Sequence, residues 1–449
     1  MIGRPGIVVK PRSIDALLRL FTDVHAGEGA RLIALATNAF LILTAYYVMK
    51  PVREVLILDQ PGGAELKSYA YGMQAVLLMV VIPLYSSLAT MLPRRQLINV
   101  VTAFFIACLP IFYLLAEAKA PIALVFFLWI GIFSLMVVAQ FWAYANDVYT
   151  PDEGKRLFAF IAFGASSGAV FGAWLSGELI GLLGVNALLL AAATILALSL
   201  LLFNAIDRGA GVDRSVARQA TTDISIGGGD AFALLLKSRY LVVMALVILL
   251  LNWVNSAGEY ILSAIVKHSA DAAVQAGTMS RGDEGRYIGT FFSDYFQLVN
   301  IIGMLLQLFV VARVVSWVGV PVAMCILPVV ALVSYTCAAL LPTLAMVRWI
   351  KTAENSVDYS LMNTVRQMLF LPTSREEKFK AKQVIDSFIV RVGDVLSAIT
   401  VYVGTALLSL TVAQFAWINV VLVLVWLALS VITGLEFRRR VSAQAAGSA

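Results

Sequence analysis

Residues 32–49 read LIALATNAFLILTAYYVM, a run of eighteen positions without a charged side chain. A helix of that length crosses a hydrocarbon core of about 30 Å, and comparable runs recur as far as the C-terminal third of the chain. Of the 449 residues, 61% are hydrophobic and 13% are charged, whereas a soluble domain carries roughly 25% charged residues. The sequence therefore predicts an all-α polytopic membrane protein surrounded by a lipid bilayer.

Breaks at polar, proline and glycine clusters divide the chain into about twelve transmembrane helices in two six-helix halves. The predicted spans are 31–50, 68–92, 97–117, 120–147, 155–182, 185–206, 239–267, 286–312, 317–341, 343–371, 380–407 and 411–436. The predicted domains are a cytoplasmic N-terminal segment with a short amphipathic helix (1–30), an N-terminal half (31–206), a cytoplasmic linker (207–238), a C-terminal half (239–437) and a cytoplasmic tail (438–449).

Lysines and arginines are distributed unevenly between the predicted loops. Loops on the side of the termini and the linker hold 22 of the 33 basic residues. Because cytoplasmic loops carry the excess of Lys and Arg, both termini and the linker are predicted to be cytoplasmic, in a multi-pass protein of the cell inner (plasma) membrane. Membrane topology thus explains the net charge of +6 without nucleic acid. The opposite loops hold seven basic residues, Lys50, Arg53, Lys67, Lys119, Lys267, Arg281 and Arg286.

The chain lacks the sequence signatures of an enzyme. It contains no GxxxxGK[ST] phosphate loop and no HExxH motif, and its two histidines, His25 and His268, lie far apart in the sequence. All three cysteines fall within apolar runs, which indicates neither a disulfide framework nor a cysteine-based metal site. We therefore predict a protein without catalytic residues, cofactor or metal.

Charged side chains inside the predicted spans are the candidate functional residues, because each costs about 2.5–3.5 kcal/mol at mid-bilayer. In the tenth span, Lys351, Glu354 and Asp358 are spaced i, i+3, i+7 and share one helix face. Basic residues from both halves could face one cavity for an anionic solute, with acidic partners that neutralise them. The further candidates are Arg53 and Glu54 at the outer end of the first span, Glu259 in the seventh, Arg366 in the tenth, and Asp386 and Arg391 in the eleventh.

Each basic candidate has a second interpretation. Lys155 and Lys378 are either residues of an inner gate or interfacial side chains that reach for water. Lys351, Arg366 and Arg391 either bind an anion or form structural ion pairs between helices.

The two halves share short motifs. Thr150-Pro-Asp-Glu-Gly-Lys155 enters the fifth span, and Thr373-Ser-Arg-Glu-Glu-Lys378 precedes the eleventh. Parallel repeats of six spans are typical of the major facilitator superfamily, in which the halves move around a midplane site. The four-residue spacing of Gly164, Gly168 and Gly172 indicates close helix packing.

The stretch from Asp358-Tyr-Ser-Leu through Leu371-Pro-Thr-Ser-Arg-Glu-Glu-Lys-Phe-Lys-Ala-Lys-Gln-Val-Ile-Asp386 to Arg391 resembles the nucleotide transporter family, the ATP/ADP translocases of plastids and intracellular bacteria. Phe141-Trp142, Ala145-Asn146 and Glu153-Gly-Lys155-Arg156 are further matches, and the resemblance runs from about residue 27 to residue 437. It implies a major facilitator type fold and nucleotides or related phosphate-bearing substrates moved by exchange.

The chain departs from the family pattern at three places. Arg53-Glu54 and Arg366-Gln367 stand where the family has lysine followed by an acid, and Ser263 stands where a lysine is expected. Arginine keeps the charge but changes the hydrogen-bond geometry, whereas serine removes the charge. Substrate identity is therefore less firmly implied than the fold.

From these patterns we expect a secondary active transporter of an anionic solute, with a nucleotide moved by exchange as the leading candidate. The alternative is a proton-coupled major facilitator carrier of another metabolite, drug or lipid-like solute. The exact substrate, the direction of transport and the oligomeric state stay open. The expected substrate-binding residues are Arg53, Lys351, Arg366 and Arg391, their charge partners Glu54, Glu259, Asp358 and Asp386, and the inner-gate residues Lys155 and Lys378.

Overall fold

The computed structural model describes residues 18, 22–25, 27–210, 228–374 and 376–447, and these are helical apart from short connections. The N-terminal part holds six long helices. Their bounds are α1 Gly29–Leu58, α2 Gly63–Met91, α3 Arg94–Glu117, α4 Ala123–Val148, α5 Pro151–Leu183 and α6 Ala187–Ala210. The predicted amphipathic helix of the N-terminal segment lies, apart from Leu18, outside the described residues.

The C-terminal part begins with a short helix and continues with six long helical runs. A single turn of 3₁₀ helix, Arg281–Asp283, precedes α9. The bounds are α7 Gly228–Lys237, α8 Arg239–Gln275, α9 Glu284–Phe309, α10 Val311–Leu340, α11 344–368, α12 377–407 and α13 Val412–Gly447.

Two of these runs are irregular. In α11, a π-helical turn at Asp358–Met362 separates α-helical Leu344–Val357 from Asn363–Met368. In α12, three π-helical turns alternate with α-helical stretches. These turns are Glu377–Ala381, Ile385–Ile389 and Val403–Leu407. Since π turns inside helices often occur at functional sites, α11 and α12 are candidate functional elements.

Within the described residues, ten helices are long and apolar enough to cross a membrane: α1 to α6, α8, α9, α10 and α13. The tenth and eleventh predicted spans correspond to α11 and α12, which are broken by π turns and rich in charge. The prediction of an all-α polytopic membrane protein with about twelve long helices is confirmed.

By compactness the chain separates into two units. The first unit comprises Met1–Val52, Leu84–Ile122 and Trp129–Ile224, and the second comprises Arg53–Pro83, Ala123–Leu128 and Ser225–Ala449. The predicted division into halves at 31–206 and 239–437 stays a prediction. Of the predicted linker, residues 207–210 continue α6 and Gly228–Lys237 forms α7, while 211–227 lie outside the described residues.

Close packing of α5 on α1 organises the first unit. A Cβ atom added to Gly164, Gly168 or Gly172 would lie 2.6, 2.3 or 2.5 Å from a backbone carbonyl oxygen of α1. Contacts this short leave no room for a side chain, so the two backbones can approach only because these positions are glycine. The predicted role of the glycine series is thus confirmed.

Both copies of the shared motif begin a helix in the same way. The Thr150 side chain accepts a hydrogen bond from the Glu153 amide, and the Glu153 carboxylate accepts one from the Thr150 amide at 2.7 Å. Ser374 and Glu377 make the equivalent reciprocal pair, at 2.9 and 3.2 Å. Such capping boxes satisfy backbone donors that have no partner inside the helix, which explains Thr150 and Glu153 in the first motif and, one position later, Ser374 and Glu377 in the second.

Candidate functional site

Six charged side chains form a buried cluster in the second unit. Residues at the ends of α1 and α2 contribute to it together with α8 and α11. Three members are cations and three are carboxylates, so the cluster is neutral in formal charge. We call it the charge cluster; its members are Arg53, Glu54, Lys67, Glu259, Lys351 and Glu354.

Lys67 joins the α1 and α2 end of the charge cluster to α8. Its ammonium lies 2.7 Å from a Glu54 carboxylate oxygen and 3.6 Å from Glu259, and it donates a 2.9 Å hydrogen bond to the Ser263 hydroxyl. It also lies 5.2 Å from the centre of the Phe292 ring. Since the Lys67 side chain is only 1% exposed, the two carboxylates compensate the cost of burying its charge.

Lys351 holds the opposite end of the charge cluster. Its ammonium lies 3.1 Å from Glu354 and 3.9 Å from Glu259, and it donates a 3.0 Å hydrogen bond to Asn255. The side chain is 1% exposed. Glu259 therefore lies between two buried ammonium groups.

Neutral side chains donate hydrogen bonds to two of these carboxylates, Glu354 and Glu259. The Tyr335 hydroxyl lies 2.9 Å from both oxygens of Glu354. The Asn355 amide donates to Glu259 at 3.0 Å and to the Tyr295 hydroxyl at 2.7 Å. Buried charges supported in this way are held in fixed positions.

Arg53 lies against aromatic rings. Its guanidinium pairs with the neighbouring Glu54 and lies 4.8 Å from the centre of the Phe127 ring and 5.9 Å from that of Tyr71. Glu54 is 0% exposed and pairs with both Arg53 and Lys67. Arginine suits this position because its planar guanidinium stacks on aromatic faces.

The assignment of Lys50, Arg53 and Lys67 to a predicted loop is wrong. Lys50 and Arg53 belong to α1 and Lys67 to the second turn of α2, and all three are buried. Their charges are compensated by carboxylates or by aromatic faces, which a count of charge along the sequence does not reveal. For Lys67 a signal was present: the Pro61-Gly62-Gly63 turn predicts a helix start at residue 63, and hence Lys67 inside the helix.

Lys67 also bears on a departure from the family pattern. The expected lysine position in α8 is occupied by Ser263, which is 0% exposed and accepts a hydrogen bond from Lys67. The ammonium group supplied by α2 thus lies beside the position where the lysine is missing.

A second set of candidates lies on α11 and α12. Arg366 pairs with Asp386 at 2.5 Å, so both members of this predicted pair are brought together by α11 and α12. Arg391 pairs with Asp394 at 3.3 Å, and the Ser256 hydroxyl donates to the other Asp394 oxygen at 2.7 Å. The acidic partner of Arg391 was not among the predicted site residues.

Asp358 differs from the other acidic candidates. Among the described residues, no donor or cation lies within hydrogen-bond or ion-pair distance of its carboxylate. The side chain borders a cavity of about 350 Å³ whose wall also includes Asn252, Asn363 and Arg366.

The predicted inner-gate residues lie in different units. Lys155 is on the second turn of α5, where its side chain is 75% exposed and pairs with Asp152 at 2.9 Å. Lys378 is half-buried at the start of α12. Next to Lys155, Arg156 pairs with Glu28 at 3.1 Å. Burial alone would raise the pKa of the Glu28 carboxyl. The hydrogen bonds and charge of Arg156 outweigh this effect of burial, so the pKa of Glu28 lies below its usual value.

Comparisons with known proteins agree with this architecture. The family model of the TLC ATP/ADP transporter matches residues 10–119. No curated protein sequence matches the chain.

Solved structures of transporters resemble the chain over most of its length at low sequence identity. A bacterial homolog of the human lysosomal transporter Spinster, inward-facing and unoccupied, is 13% identical, with a TM-score of 0.60 over 92% of this chain and 98% of its own. The nucleoside transporter NupG is 14% identical, with a TM-score of 0.58 over 92% and 98%. A bacterial homologue of the iron transporter ferroportin, inward-facing, is 12% identical, with a TM-score of 0.63 over 90% and 98%.

At these identities the structures establish the fold, and the family match confirms the resemblance to the ATP/ADP transporters. The chain is thus a multi-pass membrane protein with the major facilitator type transporter fold, similar in its N-terminal sequence to the TLC ATP/ADP transporter family.

Proposed function

We propose that the chain is a secondary active transporter that moves an anionic solute by alternating access, with nucleotide exchange as the leading candidate. The fold and the family match support a secondary transporter. The observation that supports an anionic solute is the charge cluster, where Lys351 is buried between Glu259 and Glu354. Its three buried cations can form charge-assisted hydrogen bonds with an anion that displaces their carboxylates.

The four proposed substrate cations are all paired with acids. Arg53 pairs with Glu54, and Lys351 with Glu259 and Glu354. The remaining pairs are Arg366 with Asp386 and Arg391 with Asp394.

A phosphate group binds such cations by taking over hydrogen bonds that the acids accept. Charge-assisted hydrogen bonds are roughly twice as strong as neutral ones, so this exchange of partners preserves most of the interaction. When the phosphate binds, the displaced carboxylates lose their cationic partners. Because unpaired buried charges are unfavourable, this loss favours a rearrangement of the helices that carry them. We propose Glu54, Glu259 and Asp386 as these displaced acids, whereas the unpaired Asp358 has another role. Lys155 and Lys378 are proposed as residues of the inner gate.

The unpaired Asp358 also favours the second candidate, a proton-coupled carrier of another solute. A carboxylate that has no cationic partner among the described residues is suited to take up and release a proton. A pH gradient that drives net uptake without internal solute would favour this candidate.

Uptake into liposomes that contain the purified protein tests the proposed function. We expect saturable uptake of a labelled nucleoside diphosphate, competed by unlabelled nucleotides and weakly by the phosphate-free nucleoside. Lys351→Met should abolish uptake, while Lys237→Met, which removes an exposed lysine in α7, should not. Uptake no greater than in protein-free liposomes, or equal competition by the nucleoside, would refute the proposal.

A further inference from the structure

The cavity beside the π turn of α11 presents hydrogen-bond acceptors at one end and a donor at the other, and this arrangement restricts which ligand can bind. Its volume of about 350 Å³ is at the lower end of the roughly 300–1,000 Å³ that small-molecule sites occupy. Residues of α8 and α11 form its wall, including Asn252, Asp358, Tyr359 and Arg366. All of them belong to the second unit.

One end of this wall presents hydrogen-bond acceptors. Among the described residues, both Asp358 carboxylate oxygens are without a donor. The Asn252 amide nitrogen donates to the Ile248 carbonyl at 2.8 Å, which leaves the Asn252 side-chain oxygen as an acceptor. A ligand at this end must therefore supply donors.

The other end presents a donor. One terminal nitrogen of Arg366 bonds to Asp386 at 2.5 Å, and its other terminal nitrogen, Nη1, makes no hydrogen bond in the described part of the chain. Asp358 and Arg366 are eight residues apart, which corresponds to a rise of about 12 Å along a helix. The ligand thus carries donors at one end and an acceptor or anion at the other.

We propose that Asp358 recognises the base of the transported nucleotide and selects guanine, while Arg366 holds its phosphate. This inference rests on the proposed nucleotide transport. The two carboxylate oxygens are adjacent acceptors, and the guanine ring presents two adjacent donors, N1–H and the 2-amino group. Two parallel hydrogen bonds to an ionised carboxylate combine strength with directional specificity.

The other common bases fit this end less well. Adenine presents its 6-amino donor beside the N1 acceptor, and cytosine presents its 4-amino donor beside the N3 acceptor. One Asp358 oxygen would then face a lone pair and stay unsatisfied. Sites built to bind a donor discriminate strongly against analogues that lack it.

Equilibrium binding to the purified full-length protein tests the inference with GDP, ADP, IDP and pyrophosphate as probes. IDP differs from GDP only in lacking the 2-amino group. We expect GDP to bind about tenfold or more tightly than IDP or ADP. Asp358→Asn should reduce these ratios to near one and leave pyrophosphate affinity unchanged. Asp271→Asn, which removes a half-exposed acid paired with Lys267 in α8, is the matched control and should keep the preference for GDP.

The outcomes separate this inference from the proposed function. Binding of all three nucleotides with equal affinity, or a preference for GDP that survives Asp358→Asn, would overturn guanine recognition and leave nucleotide transport standing. Tighter binding of ADP than of GDP would overturn it as well. If neither the nucleotides nor pyrophosphate bind, the proposed function and this inference both fail.

Discussion

At the scale of single residues, Lys67 is the cation that pairs with carboxylates of both α1 and α8. Its removal leaves Glu54 and Glu259 buried with one fewer cation between them. Breaking a buried ion pair costs roughly 3–5 kcal/mol, and we expect Lys67→Met to lower the free energy of unfolding by about 3 kcal/mol because Arg53 and Lys351 remain. Thermal unfolding of the detergent-solubilised protein measures this loss.

Rescue distinguishes charge from packing in that experiment. If the stranded carboxylate is the cause, adding Glu259→Gln to Lys67→Met should restore most of the lost stability, because Lys351 keeps Glu354 as its partner. Lys237→Met is the control, since this lysine is exposed. Equal stability of Lys67→Met and Lys237→Met would contradict the role of Lys67.

Arg366 is the residue at which binding and structure can be separated. Hydrogen bonds to charged groups contribute roughly 1.5–3 kcal/mol each, so Arg366→Ala should weaken nucleotide affinity about tenfold or more. Arg366→Lys should recover part of it, because a point charge replaces a planar group with several donors. The measurement is nucleotide binding at matched concentrations of folded protein.

A structural ion pair would behave differently at this position. Removing Arg366 would then strand Asp386, and Arg366→Ala should be unstable until Asp386→Asn is added. Arg348→Ala is the matched control on the same helix, where the pairing with Asp294 is longer at 3.9 Å. Unchanged nucleotide affinity in Arg366→Ala would rule out a substrate contact, whatever the stability.

At the scale of elements, the glycines of α5 permit its contact with α1. Alanine at position 168 would bring a Cβ atom to 2.3 Å from the Phe40 carbonyl oxygen, which forces the backbones apart. Overpacking of this kind costs about 1–3 kcal/mol, and Gly168→Ala should lower the melting temperature accordingly. At Gly181 of the same helix the added Cβ meets no atom within 4 Å, so Gly181→Ala should be neutral or stabilising. Similar melting temperatures for the two variants would argue against close packing at Gly168.

The elements also explain what the sequence could and could not predict. Uncharged runs such as residues 32–49 are long enough to cross the bilayer as helices, and their recurrence along the sequence predicts most of the long helices. The shared face of Lys351 and Glu354 follows from helical spacing. The partners of Lys67 do not, because Glu54 and Glu259 lie on other helices and no local pattern encodes a contact between helices. The π turn at Asp358–Met362 was likewise unpredicted, since its residues are compatible with an α-helix.

At the scale of the whole molecule, the excess of basic residues on one set of loops predicts cytoplasmic termini and a cytoplasmic linker. A cysteine at Ser215 in the linker should be protected from an impermeant thiol reagent in intact cells, and one at Thr278 between α8 and α9 should be labelled. Both are introduced after Cys108, Cys325 and Cys337 have been replaced. The opposite labelling pattern would invert the proposed topology.

The coupling mode is also a property of the whole transport cycle. In an exchanger, the transporter changes its orientation only when substrate is bound. The ion pairs give a reason, because Arg53, Lys351 and Arg366 are each paired with an acid that a bound phosphate must displace. Liposomes preloaded with unlabelled nucleotide should therefore take up labelled nucleotide several-fold faster than empty ones. A pH gradient, inside alkaline, should have little effect. If uptake into empty liposomes is as fast and follows the pH gradient, the chain is a proton-coupled carrier and exchange is excluded.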